Sequence, residues 1–266
     1  MKQPLAYIHP EAKIAENVII DPFVTIEKNV EIGEGTWIGS NAVIMEGARI
    51  GKNCKIYSGA IISAKPQDLK FAGEETVTII GDNTTIREYV TINRGTKASY
   101  KTIVGSNCLL MAYVHIAHDC IVGNNCILAN NTTLAGHVTI EDYATLAGFV
   151  AVHQFVTIGA HCYISGGSLV RKDVPPFVKA AREPLSYVGI NSIGLRRRNY
   201  TNEQIQQIQE IYRYLYLKNM NISQALEYIE KELPASKEKD DIVLFIRKST
   251  RGIMRGYGSS KNNGEF

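Results

Sequence analysis

The sequence predicts a mainly β chain in which a long coil of six-residue repeats is followed by a small α-helical domain. Three observations carry this. Stepping six residues at a time from Ile8 to Val170 meets an aliphatic side chain at 25 of 28 positions, the exceptions being Asp68, Glu74 and Ala98. A period of six fits neither the 3.6 of a helix nor a plain alternating strand, but it does fit a short strand plus a tight corner, repeated. After Pro175 and Pro176 the frame ends, and helix-opening signals follow.

In chain order, the frame runs unbroken from Ile8 to Ile62, resumes at Ile80 through Ile92, and resumes again at Val104. Both gaps preserve it, so 63–79 and 93–103 are expected to be loops thrown out of a continuous coil. Four residues after each aliphatic comes a small or β-branched residue such as Val18, Val24, Ala42 or Val138, expected to point inward with it. All five cysteines, Cys54, Cys108, Cys120, Cys126 and Cys162, occupy this inward position, which reads as small core packing rather than a thiolate or metal cluster. The residue directly after the aliphatic is often glycine, as at Gly33, Gly51 and Gly105, where corners needing unusual φ are expected. The coil is assigned to 1–190 and the helical domain to 191–266. In the latter, Thr201 with Gln204 opens a helix carrying Ile205, Ile208, Tyr212 and Leu215 on one face. Asn221 with Gln224 opens a second that stops near Pro234, a third is expected over 240–250, and the final GYGSSKNNGEF is expected to be disordered.

The hexapeptide pattern resembles the left-handed parallel β-helix of the acyltransferase superfamily, and the left hand is taken from that resemblance. In that fold three hexapeptides make one triangular coil, so residues 18 apart stack at about 4.8 Å. Applied to the histidines, this stacks His118, Gly136 and Gln154, flanked by Ala117, Ala135 and His153 on one side and by Asp119, His137 and Phe155 on the other. Three of the six histidines, His118, His137 and His153, thus share one edge over three coils. A glycine stacked on His118 leaves room and a backbone N–H for a developing oxyanion, and Asp119 can hold an imidazole in one tautomer. With no well-placed Ser or Cys nucleophile, because the inward positions are core, the edge reads as a general base assisting direct attack by a substrate's own hydroxyl or amine. The rival reading is a zinc site of three histidines that activates water, as in β-helical carbonic anhydrases.

HIAHDCIVGNNCILANNTTLAGHVTI, then AVHQF, IGAH, DVPPF and STRGIMR, closely resembles the UDP-N-acetylglucosamine acyltransferases of lipid A biosynthesis over nearly the whole chain, including the QDLKFAGE loop and the helical tail. The resemblance implies a homotrimer with active sites between neighbouring coils. It implies transfer of a 3-hydroxyacyl group from the phosphopantetheine of acyl carrier protein to the 3-hydroxyl of UDP-N-acetylglucosamine, with no further cofactor and no metal. Carried over by residue, His118 is the base, Asp119 its orienting partner and Gly136 the oxyanion donor. His115, His137, His153 and Gln154 contact substrate, while Gln67, Asp68 and Lys70 reach the sugar nucleotide from an adjacent subunit. Asn191 and Arg197 match nucleotide contacts, but Ile193 stands where the family has an acidic residue. Gly166 matches the position that measures acyl length, where a glycine leaves the groove open to a long chain.

A balance of 29 basic against 26 acidic residues is too even to argue for nucleic acid, and no 18-residue apolar run or signal-like amino terminus occurs. A soluble, cytoplasmic enzyme is therefore expected, with an odd cysteine count favouring a reducing compartment. The helical domain is expected to cap the last coil and, with Arg171, Lys172, Lys179 and Arg182, to dock an acidic carrier protein. Other readings are transfer to a 3-amino UDP-sugar, the related N-acyltransferase acting later in the same pathway, which carries an additional amino-terminal domain, and a purely structural β-helix.

Overall fold

The structure is a computed structural model that describes residues 5–256. Strands of two to five residues, separated by corners, wind into a three-sided prism whose faces are sheets of parallel strands, apart from one antiparallel pair at the carboxy-terminal end of the third. The first face has nine strands beginning at Tyr7–Ile8, the second eight beginning at Lys13–Ile14, and the third eleven including Ile19–Ile20. Partners along the undisturbed coil lie 18 apart, as in His115↔Thr133 and Ile121↔Thr139. This is a left-handed parallel β-helix with a carboxy-terminal helical region.

Two irregularities explain why the frame survives its interruptions. Pairing jumps 30 residues at Ile61↔Thr91 and 24 at Thr91↔His115, so the insertions come in multiples of six and leave every inward position inward. The loops are shorter than the sequence frame alone suggests. Strands Ile61–Ala64, Val77–Ile80, Thr91–Asn93 and Lys101–Val104 claim their flanks, leaving 65–76 and 94–100. Thr78 and Thr102, two residues before the resumed aliphatics, are fully buried, which is what draws those flanks into the sheet.

Along the coil's interior the frame aliphatics and the residues four later stack on their own copies: Ile44, Ile62, Ile92, Ile116 and Leu134 are all fully buried, as are Ala42, Val90 and Val138. Parallel sheets of this kind hide their backbone ladder and draw their stability from continuous burial of branched side chains. The five cysteines are free and buried among them, and burial pushes the Cys120 thiol up to about 12, so it stays protonated and packs.

The glycines behave differently from expectation. Those directly after the aliphatic do not take left-handed backbone. They are small because the coils touch there: a Cβ on Gly33 would sit 2.8 Å from the carbonyl carbon of Gly51, and one on Gly105 would sit 2.6 Å from the oxygen of Gly123. Positive φ falls instead three residues after the aliphatic, at Asn29, Asn53, Asn125, Tyr143, Phe155, His161 and others. No β-branched residue takes it among the described residues, in line with the steric cost of that region.

At the carboxy-terminal end Val178–Ala181 still pairs with Tyr163–Ile164, now at an offset of 16, and Ser186–Ile190 returns antiparallel to it. Helix α1 (Ser192–Arg197), absent from the sequence reading, is capped by Asn191. Helices α2 (Asn202–Leu217) and α3 (Ile222–Glu232) open with the two expected capping boxes, and α4 (Lys237–Lys248) follows Ser236. The buried Tyr212 of α2 donates its hydroxyl to the Pro176 carbonyl at 2.5 Å, seating the helices on the last coil. The chain then returns. Ser249 donates to the buried Asp173 carboxylate at 2.6 Å, Met254 N donates to the Asp173 carbonyl, and Arg255–Gly256 pairs with Ser186–Ile190. Of the tail expected to be disordered, Gly256 is therefore strand, and 257–266 lie outside the described residues.

Candidate active site

The corner between the first and second faces gathers the chemistry. His118, Gly136 and Gln154 stack there on three consecutive coils, and both loops, 65–76 and 94–100, emerge from the same edge two and one coils earlier. Asp119 and His137 take left-handed backbone, φ 59° and 62°, which turns their side chains onto this edge rather than into the core.

His118 and Asp119 form a close pair, Nδ1 to Oδ2 at 2.7 Å, with the His118 side chain 9% and the Asp119 side chain 0% exposed. The carboxylate is held from all sides. Thr96 donates through N at 3.1 Å and Oγ1 at 2.7 Å, and Ser99 through N at 3.2 Å and Oγ at 2.5 Å. Burial alone pushes the carboxyl up, but the bonds from Ser99, His118 and Thr96 outweigh it and hold Asp119 below the usual carboxylate range. An ionised carboxylate only accepts, so His118 carries a proton on Nδ1, and the neutral ring presents a bare Nε2. Thr96, Ser99 and Thr102, whose hydroxyl receives the Asp119 N–H at 2.9 Å, were not singled out in the sequence. They sit in or just after a loop outside the repeat, where spacing gives no signal.

Gly136 lies against the imidazole. A Cβ there would sit 2.7 Å from His118 Cε1 and 2.8 Å from Nε2, so only glycine leaves the ring in place. Its carbonyl accepts from Phe155 N, while its N–H has no partner among the described residues. A free backbone donor therefore lies beside the free base nitrogen. His137 stands edge-on to His118 with centroids 5.2 Å apart and stacks on Phe155 at 4.6 Å. Burial pushes its protonation down, opposed by Asp119 and, from loop 65–76, by Asp68. Asp68 is half-buried in loop 65–76, and Gln67 and Lys70 in the same loop are exposed. His115 is half-buried, 2.7 Å from Thr91 Oγ1, and burial lowers its protonation. His153 is exposed and Gln154 half-buried.

The three-histidine zinc arrangement is not formed. The atoms able to converge on an ion, within 4.8 Å of one another, are those of His118, Asp119 and His137, and His153 is not among them. Both Asp119 oxygens and His118 Nδ1 are already committed to hydrogen bonds, which fits an orienting dyad better than a ligand set.

Other residues singled out in the sequence lie elsewhere on the prism. Gly166 is at the corner between the third and first faces, stacked over Gly148. Asn191 is at the corner between the second and third, where its Nδ2 donates to the His161 carbonyl at 2.9 Å and its Oδ1 caps α1. Arg197 is exposed at the end of α1, and Ile193 is 66% exposed.

Residues 101–136 match a family profile described as "Bacterial transferase hexapeptide (six repeats)", and the coil carrying the dyad is that of an acyltransferase. Residues 173–254 match "Udp N-acetylglucosamine O-acyltransferase; Domain 2", and residues 2–107 a "GMPPB C-terminal domain" profile. The acyl-(acyl-carrier-protein)–UDP-N-acetylglucosamine O-acyltransferase of Trichlorobacter lovleyi is 48% identical over 255 residues, 94% of this chain and 98% of that one. Among solved structures, the UDP-N-acetylglucosamine acyltransferase from Bacteroides fragilis 9343 superposes with a TM-score of 0.95 at 54% identity, covering 96% of this chain and 100% of that one. That from Francisella novicida gives 0.94 at 43%, covering 98% and 96%. The chain belongs to the family of acyl-(acyl-carrier-protein)–UDP-N-acetylglucosamine O-acyltransferases.

Proposed function

We propose that this chain transfers a 3-hydroxyacyl group from acyl carrier protein to the 3-hydroxyl of UDP-N-acetylglucosamine, the first step of lipid A biosynthesis. The observation that carries the chemistry is the Asp119–His118 pair with Gly136 packed on the imidazole. His118 Nε2 takes the proton of the sugar 3-hydroxyl as its oxygen attacks the thioester carbonyl. The oxyanion of the tetrahedral intermediate faces the Gly136 N–H. Its collapse breaks the carbon–sulfur bond, and the departing thiolate of the phosphopantetheine arm takes the proton back from His118. Asp119 stays ionised and stabilises the imidazolium between these steps. No acyl-enzyme and no metal or other cofactor takes part in this scheme. His115, His137, His153 and Gln154 border the dyad as substrate contacts, and Gln67, Asp68 and Lys70, on loop 65–76 of the adjacent copy, reach the sugar nucleotide.

The working form is a homotrimer. Support comes from geometry: Gly166, Asn191 and Arg197 occupy two corners of the prism that do not carry His118, so one cleft containing all of them needs corners from neighbouring copies. Acyl carrier protein is the donor's bearer, and its acidic surface meets Arg171, Lys172, Lys179 and Arg182. The enzyme acts in the cytoplasm, where its five free thiols stay reduced; no helix of the described residues is long and apolar enough to cross a membrane.

The test is a metal-free assay with 3-hydroxyacyl carrier proteins of graded length, offered UDP-N-acetylglucosamine or its 3-amino analogue. Preferred turnover of the hydroxyl sugar with a long chain supports the reading. Preferred amide formation would transfer it to the 3-amino acceptor.

A further inference from the structure

The carboxy-terminal return delivers a cation to the His118 edge. The Asp173 clasp fixes 249–254, and between its bonds Arg251 reaches back to the corner where His153 and Gln154 sit. Its Nη2 lies 3.3 Å from His153 Nδ1 and 3.5 Å from the Arg171 carbonyl, and its Nε is buried without a hydrogen-bond partner. Arg251 pairs with no carboxylate among the described residues, whereas Arg171 next to it pairs with Glu183 at 2.9 Å. A guanidinium that is always charged, partly buried and only half used is costly unless an anion completes it.

The imidazole nitrogen it touches is contested. His153 Nδ1 also lies 3.1 Å from the Gln154 carbonyl oxygen, which can only accept, while the guanidinium can only donate. The guanidinium bond requires a lone pair on Nδ1 and so puts the proton on Nε2, whereas the Gln154 bond requires the proton on Nδ1.

Building on the acyl-transfer reading, we propose that Arg251 is a positioning and anion-binding residue of the site: it fixes His153 in the Nε2-protonated form and binds a phosphate oxygen of a substrate. Phosphate is the chemistry a guanidinium edge selects, and two substrates carry it. The source is either the diphosphate of the sugar nucleotide or the phosphodiester of the carrier's pantetheine arm.

Steady-state kinetics with each substrate varied in turn separate these for wild type, Arg251→Ala, Arg251→Gln, Arg251→Lys and Ser249→Ala. The last loosens the clasp but keeps the guanidinium. Losing a charge-assisted bond should raise KM for one substrate by about 10- to 100-fold, with kcat within about threefold and partial recovery in Arg251→Lys. A rise for UDP-N-acetylglucosamine assigns the nucleotide diphosphate. A rise for the carrier thioester, which disappears when a phosphate-free acyl-pantetheine is the donor, assigns the phosphodiester. If Arg251→Ala does not fold, Arg251→Gln gives the same reading. An active wild type with neither KM moved by more than twofold, or Ser249→Ala reproducing the full effect, would overturn the inference alone. An inert wild type would overturn the acyl-transfer reading and this inference with it.

Discussion

Replacing Gly136 by alanine tests the placement of the base with a single methyl group. Gly136 has no left-handed backbone, so the substitution brings no φ strain, and the backbone N–H survives. The new Cβ would stand 2.7 Å from His118 Cε1, where ordinary contact begins at 3.4 Å, so the ring must retreat by about 0.7 Å. Retreat straight back would press it on Asp119; retreat to the side would stretch the 2.7 Å Nδ1–Oδ2 bond beyond useful length. Misplacement on this scale costs roughly 10²-fold in kcat, while overpacking one methyl costs about 1–3 kcal/mol of stability. The assay is kcat and KM for both substrates beside a thermal melt. A folded Gly136→Ala enzyme with kcat within threefold of wild type would refute the contact between Gly136 and the base.

Two other outcomes are expected. Asp119→Asn should lower kcat by roughly 10⁴-fold by releasing the wrong imidazole tautomer. It should also destabilise the chain by about 2–4 kcal/mol, since an amide cannot accept every bond from Thr96, Ser99 and His118. The Asp119 carboxyl is depressed in the folded state, so its stabilisation is complete above the ordinary carboxylate pKa, about 3.9, and fades as pH falls below it toward the folded value. Melting temperatures from pH 2 to 5 should show wild type losing stability through that window and Asp119→Asn lacking the component; identical slopes would count against it. Gly166→Met is sterically allowed after the Gly148 carbonyl yields slightly, its Cβ otherwise 3.1 Å away. It should turn preference toward shorter chains, by roughly fourfold in relative kcat/KM per methylene excluded; unchanged preference would show that Gly166 does not measure length.

What the sequence disclosed was whatever the repeat encodes. Ile116 and Leu134 could be placed in the core, and His118 over Gly136, because stacking turns a difference of 18 into contact. The same arithmetic misread the glycines, since a period marks a special position without saying whether backbone conformation or coil-to-coil approach makes it so. The positive φ lay on residues such as Asn53 and His137, where side-chain type hides the strain. Contacts outside the period stayed invisible: Thr96 and Ser99 reach Asp119 from a loop, and Arg251 reaches His153 across 98 residues. The third histidine of the edge, His153, shares the edge but neither column nor cluster, because it stacks in the Ala117–Ala135 column and meets the returning tail through Arg251.

In the proposed scheme the bare Nε2 of His118 removes the proton from the attacking sugar hydroxyl. The most direct measurement is turnover of His118→Ala in the metal-free acyl-transfer assay, with assembly checked by sedimentation. Loss of at least about 10³-fold in kcat from a variant that assembles like wild type is the expected result. Turnover within tenfold of wild type, or activity in the wild type that appears only on adding zinc, would contradict it.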